Sequence, residues 1–213
     1  MLEQRAIYLL SPTPREGTVS LPMIQFKTVA DHIAFADCDT LMFTSKQAVV
    51  RADSIDKNWK NYPSVAIGSA TKKQIESLGG EVIYTPKSYY GKTLSQDIVN
   101  YFSKRKILYL RPREVSFDSR GFLENAGIHL DEQIIYETEC ITYTEEEKPV
   151  KNAVIIFTSP STIHCFLRNF EWDESYTAVV IGDATKVHLP KNTAYAVADE
   201  ALISSCIEKA KSL

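Results

Sequence analysis

The chain has 213 residues, of which 44% are hydrophobic, and its formal net charge is −3. This length is enough for a sizeable core and for one or two domains. The mild acidity and the lack of a basic block argue against nucleic acid or an anionic membrane surface as a partner. No apolar run reaches the roughly 20 residues that a membrane-spanning helix needs. The composition therefore predicts a cytoplasmic protein that binds neither nucleic acid nor a membrane.

The cysteines and histidines form no recognisable metal or redox motif. The four cysteines are scattered along the chain at Cys38, Cys140, Cys165 and Cys206. None of their spacings is the paired spacing of a zinc or dithiol site, and the four histidines are not clustered either. We therefore expect reduced thiols, no metal ion and no cofactor.

The first 30 residues predict two strands without a helix between them. Residues 5–10 are an apolar run typical of a buried strand, and residues 22–29 alternate apolar and polar side chains as an exposed strand does. Residues 11–21 contain two prolines and a glycine, which leaves no room for a helix of useful length.

Strands and helices then alternate along the rest of the chain. Continuous apolar runs predict strands buried on both faces at 40–43 and 153–157. Further strands are predicted at 65–67, 81–85, 106–110 and 178–181. Helical spacing of apolar residues predicts helices at 46–52, 71–78, 93–104, 116–126, 161–169 and 199–211. Residues 128–143 form a long strand-like segment. This alternation is typical of α/β domains with parallel sheets.

One short stretch occurs twice. Its first copy is Phe43-Thr44-Ser45 followed by Ile67-Gly68-Ser69-Ala70-Thr71, and its second is Phe157-Thr158-Ser159 followed by Ile181-Gly182-Asp183-Ala184-Thr185. The two halves are equally spaced in both copies, and Tyr62 and Tyr176 keep the same offset. A single register held over so many positions indicates an internal duplication.

Each copy predicts turns that follow buried strands. Ser45 and Ser159 are suited to cap the helices that come next, and Gly68 and Gly182 are expected to allow sharp turns. In open α/β sheets ligands bind beyond the carboxyl ends of the strands, where helix N-termini attract anions. One copy alone would indicate no more than good caps and turns. Two copies in register indicate two similar ligand-facing edges.

The element order predicts a discontinuous domain. Residues 1–22 with 145–213 would form one doubly wound, flavodoxin-like domain, and residues 30–138 would form an inserted second one. Segments 23–29 and 139–144 would be paired linker strands. Two short connections of this kind allow domains to hinge about a cleft.

These motifs together resemble the uroporphyrinogen-III synthase family of tetrapyrrole biosynthesis. The resemblance covers most of the chain and rests on the duplicated stretch, on the strand Ile107-Leu108-Tyr109-Leu110-Arg111 and on Ile134-Ile135-Tyr136-Glu137-Thr138. It implies two α/β domains joined by a two-stranded ladder. It also implies that the substrate is hydroxymethylbilane and the product uroporphyrinogen III. We expect a monomer.

The implied reaction needs no cofactor. The linear bilane, which carries eight carboxylates, loses its terminal hydroxyl, and its last pyrrole ring attacks at its substituted carbon. The resulting spiro intermediate fragments and closes again with that ring inverted. The protein must assist the departure of water and hold the folded substrate, which is a matter of positioning and charge placement.

Tyr136 is the predicted catalytic residue. A phenol has a pKa near 10, so it is a neutral hydrogen-bond donor at working pH and could assist the departing hydroxyl. Read without the family motif, Tyr136 would be a strand aromatic packed at a domain edge. The predicted substrate-binding residues are those of the duplicated turns: Thr44, Ser45, Gly68, Ser69, Thr71, Thr158, Ser159, Gly182 and Thr185.

The chain departs from the family pattern after its first strand, where Ser11-Pro12 replaces an arginine and the first crossover helix. Pro112 stands where members usually have a glycine, so no role is assigned to Arg111 or Arg113. The alternative function is a two-domain protein that closes on a small anionic ligand without chemistry. Tyr136 in its Tyr-Glu-Thr setting favours the enzyme, because a pure binding protein does not need it.

Overall fold

The structure, a computed structural model, describes residues 5–35, 37–88 and 90–213. It contains two compact units, one formed by Met1–Gln25 with Glu139–Leu213 and the other by Phe26–Thr138. Residues 1–4 of the predicted first segment lie outside the described residues. In the part of the chain that is described, no helix is long and apolar enough to cross a membrane.

The chain forms eleven strands and seven α-helices in its described part. The strands are β1 (Ile7–Leu9), β2 (Val19–Ser20), β3 (Ile24–Thr28), β4 (Thr40–Phe43), β5 (Ser64–Ala66), β6 (Val82–Tyr84), β7 (Ile107–Pro112), β8 (Leu130–Cys140), β9 (Val154–Phe157), β10 (Thr177–Val180) and β11 (Ala194–Val197). The helices are α1 (Lys46–Ile55), α2 (Ser69–Ser77), α3 (Gly91–Tyr101), α4 (Ser119–Asn125), α5 (Pro160–Asn169), α6 (Asp183–Lys186) and α7 (Ile203–Lys211). The predicted α/β class with parallel sheets is confirmed.

The unit that contains both chain ends is built on a five-stranded sheet in the order β11-β10-β9-β1-β2. All four neighbouring pairs are parallel. Successive side chains of β9 point to opposite faces. Val154 and Ile156 therefore pack with Ile207 of α7 on one face, whereas Phe157 meets Phe166 of α5 edge to face on the other.

The inserted unit is built on a six-stranded sheet in the order β3-β8-β7-β4-β5-β6. The four pairs from β8 to β6 are parallel. Leu41 and Phe43 of β4 pack on the face that α1 covers, and Met42 packs with Leu94 of α3 on the other face. This alternation of two buried faces explains why β4 reads as a continuous apolar run.

No helix lies between β1 and β2, as the prolines of 11–21 predicted. Two short strands, β2 and β11, were not predicted. The long strand predicted at 128–143 ends at Cys140. After Cys140 the chain is no longer part of a strand. The Ile141 N–H donates to the Met23 carbonyl at 2.9 Å, and the Tyr143 N–H donates to the Asn169 side chain at 2.8 Å.

The expectation of four reduced thiols is wrong. Cys140 at the end of β8 forms a disulfide with Cys165 of α5, while Cys38 and Cys206 are free. The two bonded residues are 25 positions apart, yet their Cα atoms lie 5.2 Å from each other. The packing of α5 beside the end of β8 creates this proximity, so no local spacing in the sequence reveals it.

Candidate functional site

The fold brings the two halves of each repeat together at the carboxyl edge of a sheet. The Thr-Ser turns follow β4 and β9, and the glycine turns follow the neighbouring strands β5 and β10. An equivalent hydrogen bond joins the halves in both units. The Ile67 N–H donates to the Phe43 carbonyl at 3.0 Å, and the Ile181 N–H donates to the Phe157 carbonyl at 3.1 Å. The duplication in sequence is therefore a duplication of structure.

Ser45 and Ser159 are the N-caps of α1 and α5. The Ser45 hydroxyl oxygen accepts from the Gln47 N–H at 3.1 Å, and the Ser159 oxygen accepts from the Thr162 N–H at 3.4 Å. Both serines are half-buried. Each helix has ten residues, so each edge carries the partial positive charge of a helix N-terminus next to a hydroxyl.

The conformational reason given for Gly68 and Gly182 is wrong. Gly68 has φ −171° and Gly182 has φ 175°, which is extended backbone that any residue can adopt. A Cβ atom built on Gly182 would have no atom within 4 Å. The turns therefore do not require glycine, and the space in front of Gly182 is open.

The two repeated threonines of the glycine turns lie in the first turns of α2 and α6 and are almost covered. The exposed fraction of Thr71 is 4% and that of Thr185 is 3%. Ser69, at the start of α2, is exposed. Of the predicted ligands in these turns, Ser69 thus presents more surface to a ligand than either threonine.

Thr44 is bonded to a residue that the sequence analysis did not assign to the site. Its hydroxyl lies 2.6 Å from the phenol oxygen of Tyr109 on β7. Tyr109 is only 2% exposed, and this burial raises the pKa of its phenol to about 12, although the Thr44 hydrogen bond opposes the shift. Tyr109 is therefore neutral at physiological pH. A tyrosine inside an aliphatic strand is itself a signal, since a buried phenol needs a hydrogen-bond partner.

Tyr136 lies on β8 and is paired with Pro112, the last residue of β7. It is 3% exposed, and its ring meets Phe26 edge to face at 5.9 Å between centroids. Burial raises the pKa of the Tyr136 phenol, while a hydrogen bond from Ser45 and the positive charge of Arg51 act to lower it. The buried cluster that contains Tyr136 also contains Phe43 and Ala48, which lie on either side of the Thr44–Ser45 turn.

The two arginines to which no role was assigned are both engaged within their own unit. Arg111 pairs with Glu132 at 2.9 Å and also donates to the carbonyls of Pro112 and Arg113. Arg113 pairs with Glu137. The strand register shifts between Arg111 and Pro112, at the proline that departs from the family pattern. Both guanidiniums are therefore already paired with a carboxylate of their own unit.

Two histidines that are distant in sequence meet in the structure. His164 Nε2 and His188 Nδ1 are 3.0 Å apart, and both side chains are exposed. Across residues 5–35, 37–88 and 90–213, no group of three or more histidine, cysteine, aspartate and glutamate side chains is arranged to hold a metal ion.

Comparison with known proteins agrees with this architecture. The family model described as uroporphyrinogen-III synthase HemD matches residues 17–208. The uroporphyrinogen-III synthetase of Helicobacter pylori 26695 is 25% identical, with a TM-score of 0.83 over 98% of this chain and 99% of that one. A mutant uroporphyrinogen III synthase of Thermus thermophilus shares the fold at 10% identity, with a TM-score of 0.57 over 98% of both chains. No curated protein sequence matches significantly. The chain belongs to the uroporphyrinogen-III synthase family.

Proposed function

We propose that the chain works as a uroporphyrinogen-III synthase through Tyr136, with Thr44 and Ser45 as its immediate neighbours in the site. The family is one of hydro-lyases that act on hydroxymethylbilane and form uroporphyrinogen III. The observation that carries the assignment of Tyr136 is its place in the buried cluster beneath α1, which also contains Phe43 and Ala48 on either side of the Thr44–Ser45 turn. That position puts a phenol beside the N-terminus of α1, which suits a carboxylated substrate.

The chemistry assigned to Tyr136 is proton donation to the departing hydroxyl. Burial raises the pKa of the phenol and so keeps it protonated, with its hydrogen available to the substrate. Transfer of that proton as the C–O bond breaks releases water and leaves the azafulvene cation. The last pyrrole ring then attacks this cation, and a proton lost later from the pyrrole carbon restores the phenol. Arg51 favours the transfer, because its positive charge stabilises the phenolate.

Substrate carboxylates are proposed to bind at both repeated edges. At the first edge the ligands are Thr44, Ser45 and the free N–H groups of α1, and at the second they are Thr158, Ser159 and those of α5. Tyr109 supports this role for Thr44, because the hydrogen bond between the two side chains holds the threonine hydroxyl in place at this edge. The glycine turns, with Gly68, Ser69, Thr71, Gly182 and Thr185, are proposed to line these edges.

The same proposal covers the type of the two domains, the linker between them, the oligomeric state and the localisation. The strand order of the five-stranded sheet, counted within its own unit, is 2-1-3-4-5, which supports a flavodoxin-like domain. Within the other unit the five parallel strands run 3-2-1-4-5, which is also a doubly wound order. We propose that the segments around β3 and the end of β8 act as the linker. We also propose that the protein is a cytoplasmic monomer that binds neither nucleic acid nor membranes.

The test is the conversion of freshly prepared hydroxymethylbilane, with chromatographic separation of the type I and type III isomers after oxidation. Tyr136→Phe should lower formation of isomer III by about 10- to 1000-fold, the range for one lost donor or general acid. The matched control is Tyr101→Phe, since Tyr101 is 68% exposed on α3 and should be replaceable without effect. Full activity in a folded Tyr136→Phe protein would remove Tyr136 from the mechanism.

The same assay decides against the alternative function. A two-domain protein that only binds a small anionic ligand would leave hydroxymethylbilane to close without inversion, so only isomer I would accumulate. Isomer III formed by the wild-type chain, and lost on heating the protein, excludes that alternative.

A further inference from the structure

Arg51 is a cation placed on the inner side of α1. Ala48, Ala52 and Ile55 follow each other at helical spacing and pack in the core beneath the helix. Arg51 lies three residues after Ala48 and directly before Ala52, at the flank of this apolar face. Its side chain is half-buried, and its Nε atom is buried without any hydrogen-bond partner.

The other arginines of the same unit are all paired, which makes Arg51 an exception. Within the described residues of Phe26–Thr138, each of the four others has a carboxylate partner: Arg105 with Asp39, Arg111 with Glu132, Arg113 with Glu137 and Arg120 with Glu124. Arg51 has neither an ion pair nor a side-chain hydrogen bond to any described residue. A buried guanidinium donor without a partner is costly, so its retention calls for a partner from outside the chain.

The missing partner belongs at the Tyr136 site. Side chains on a helix tend to lean toward its N-terminus, and Ser45 is the N-cap of the helix that carries Arg51. Tyr136 belongs to the same buried cluster as Ala48 and Ala52, the two alanines of α1 between which Arg51 lies in sequence. The guanidinium is therefore carried by the part of α1 that packs with the proposed catalytic residue. A planar guanidinium with free N–H groups is well shaped for a carboxylate, which it can bind through two parallel hydrogen bonds.

We propose that Arg51 binds one carboxylate of the substrate beside Tyr136, as the counterion that its own unit does not supply. This inference rests on the proposed function, because it takes the polycarboxylate bilane as the ligand. The substrate side chain closest to the departing hydroxyl would then be held while the phenol donates its proton. The sequence contains a weak signal for this role, namely an arginine at the spacing of an otherwise apolar helix face.

The test uses uroporphyrin III, the oxidised product, as a stable ligand whose fluorescence reports binding. Arg51→Gln should raise the Kd for uroporphyrin III at low salt by about 10- to 100-fold, the range for one charge-assisted hydrogen-bonded contact. It should raise the KM for hydroxymethylbilane to a similar extent. Arg51→Lys should recover part of the affinity, because it restores the charge without the two-pronged geometry.

Arg120→Gln is the matched control. It removes the same charge from the same unit, but at an exposed arginine that is paired with Glu124. The Kd of this variant for uroporphyrin III should stay within about twofold of the wild type, because the attraction exerted by an exposed charge is weak. Thermal melts of all variants separate a lost contact from a lost fold.

Each outcome bears on one inference only. A wild-type chain that forms no isomer III would overturn the proposed function itself. An active wild type, together with a folded Arg51→Gln variant whose Kd and KM are unchanged, would overturn the role of Arg51 alone. Equal weakening by Arg51→Gln and Arg120→Gln would also overturn it, since the effect would then be general attraction between opposite charges. Weak binding of uroporphyrin III by Arg51→Gln, together with partial recovery of the affinity in Arg51→Lys, supports the role of Arg51.

Discussion

Reduction of the Cys140–Cys165 disulfide should destabilise the unit that contains both chain ends without moving its native structure. The disulfide fastens the end of β8 to α5, but it is not the only link between them. Asn169 at the end of α5 donates to the Ile141 carbonyl at 2.8 Å and accepts from the Tyr143 N–H at 2.8 Å. These bonds remain after reduction. The main effect of reduction is therefore on the unfolded chain, which gains conformational freedom.

The magnitude follows from the length of the closed loop. The two cysteines are 25 positions apart. In the chain-entropy model a loop of this length corresponds to about 3.5 kcal/mol of stability at 25 °C. For a chain of this size that loss corresponds to a fall in Tm of about 7–14 °C. Activity below the melting transition should be unchanged, because the contacts of Ser159 at the start of α5 do not involve the disulfide.

The assay compares oxidised and dithiol-reduced protein by thermal and urea unfolding. Thiol titration of the unfolded chain should find two free thiols before reduction, Cys38 and Cys206, and four after it. Cys140→Ala should melt like the reduced protein in both conditions. Cys38→Ser is the control that leaves the disulfide in place. Equal Tm values for fully oxidised and fully reduced protein would refute the loop-entropy reasoning.

Three further outcomes are expected. Tyr109→Phe should reduce the alkaline loss of stability. Because burial raises the pKa of Tyr109 to about 12, its stabilisation is complete below pH 10 and is lost as pH rises to 12; the difference, measured by urea unfolding, should reach about 2–3 kcal/mol. Alanine at both Thr158 and Ser159 should weaken uroporphyrin III binding in the fluorescence assay and lower stability by about 1 kcal/mol through the lost cap. Glu132→Gln should destabilise the protein by about 1–3 kcal/mol in urea, because it leaves the partly buried Arg111 unpaired.

Several features of the fold could be read from local patterns. β4 and β9 are buried at every position because both faces of their sheets are covered, and their apolar runs show this in the sequence. Prolines in 11–21 ruled out a helix there through their fixed φ and missing N–H. Ser45 and Ser159 were recognised as caps because a cap depends on residues within one helical turn. Such features need only neighbours in sequence.

Elements with a weak pattern in the sequence were missed, because segments distant in sequence decide whether they form. β2 has only two residues, and two of the four residues of β11 are alanines, which favour strands little. Both are strands because a neighbouring strand supplies their hydrogen bonds, β1 in one case and β10 in the other. The end of β8 at Cys140 likewise depends on Asn169, which takes up the backbone groups beyond it.

The candidate site shows the same division. Residue types and the duplication identified Thr44, Ser45 and Tyr136, but the hydroxyl of Thr44 is bonded to Tyr109 only because β7 lies beside β4. The partnerless state of Arg51 depends on where every carboxylate of its unit lies, and no window of sequence contains that information. The Cys140–Cys165 bond arises in the same way. Sequence determined which groups are present and how each helix begins, whereas packing between distant segments decided which of those groups meet and which remain without a partner.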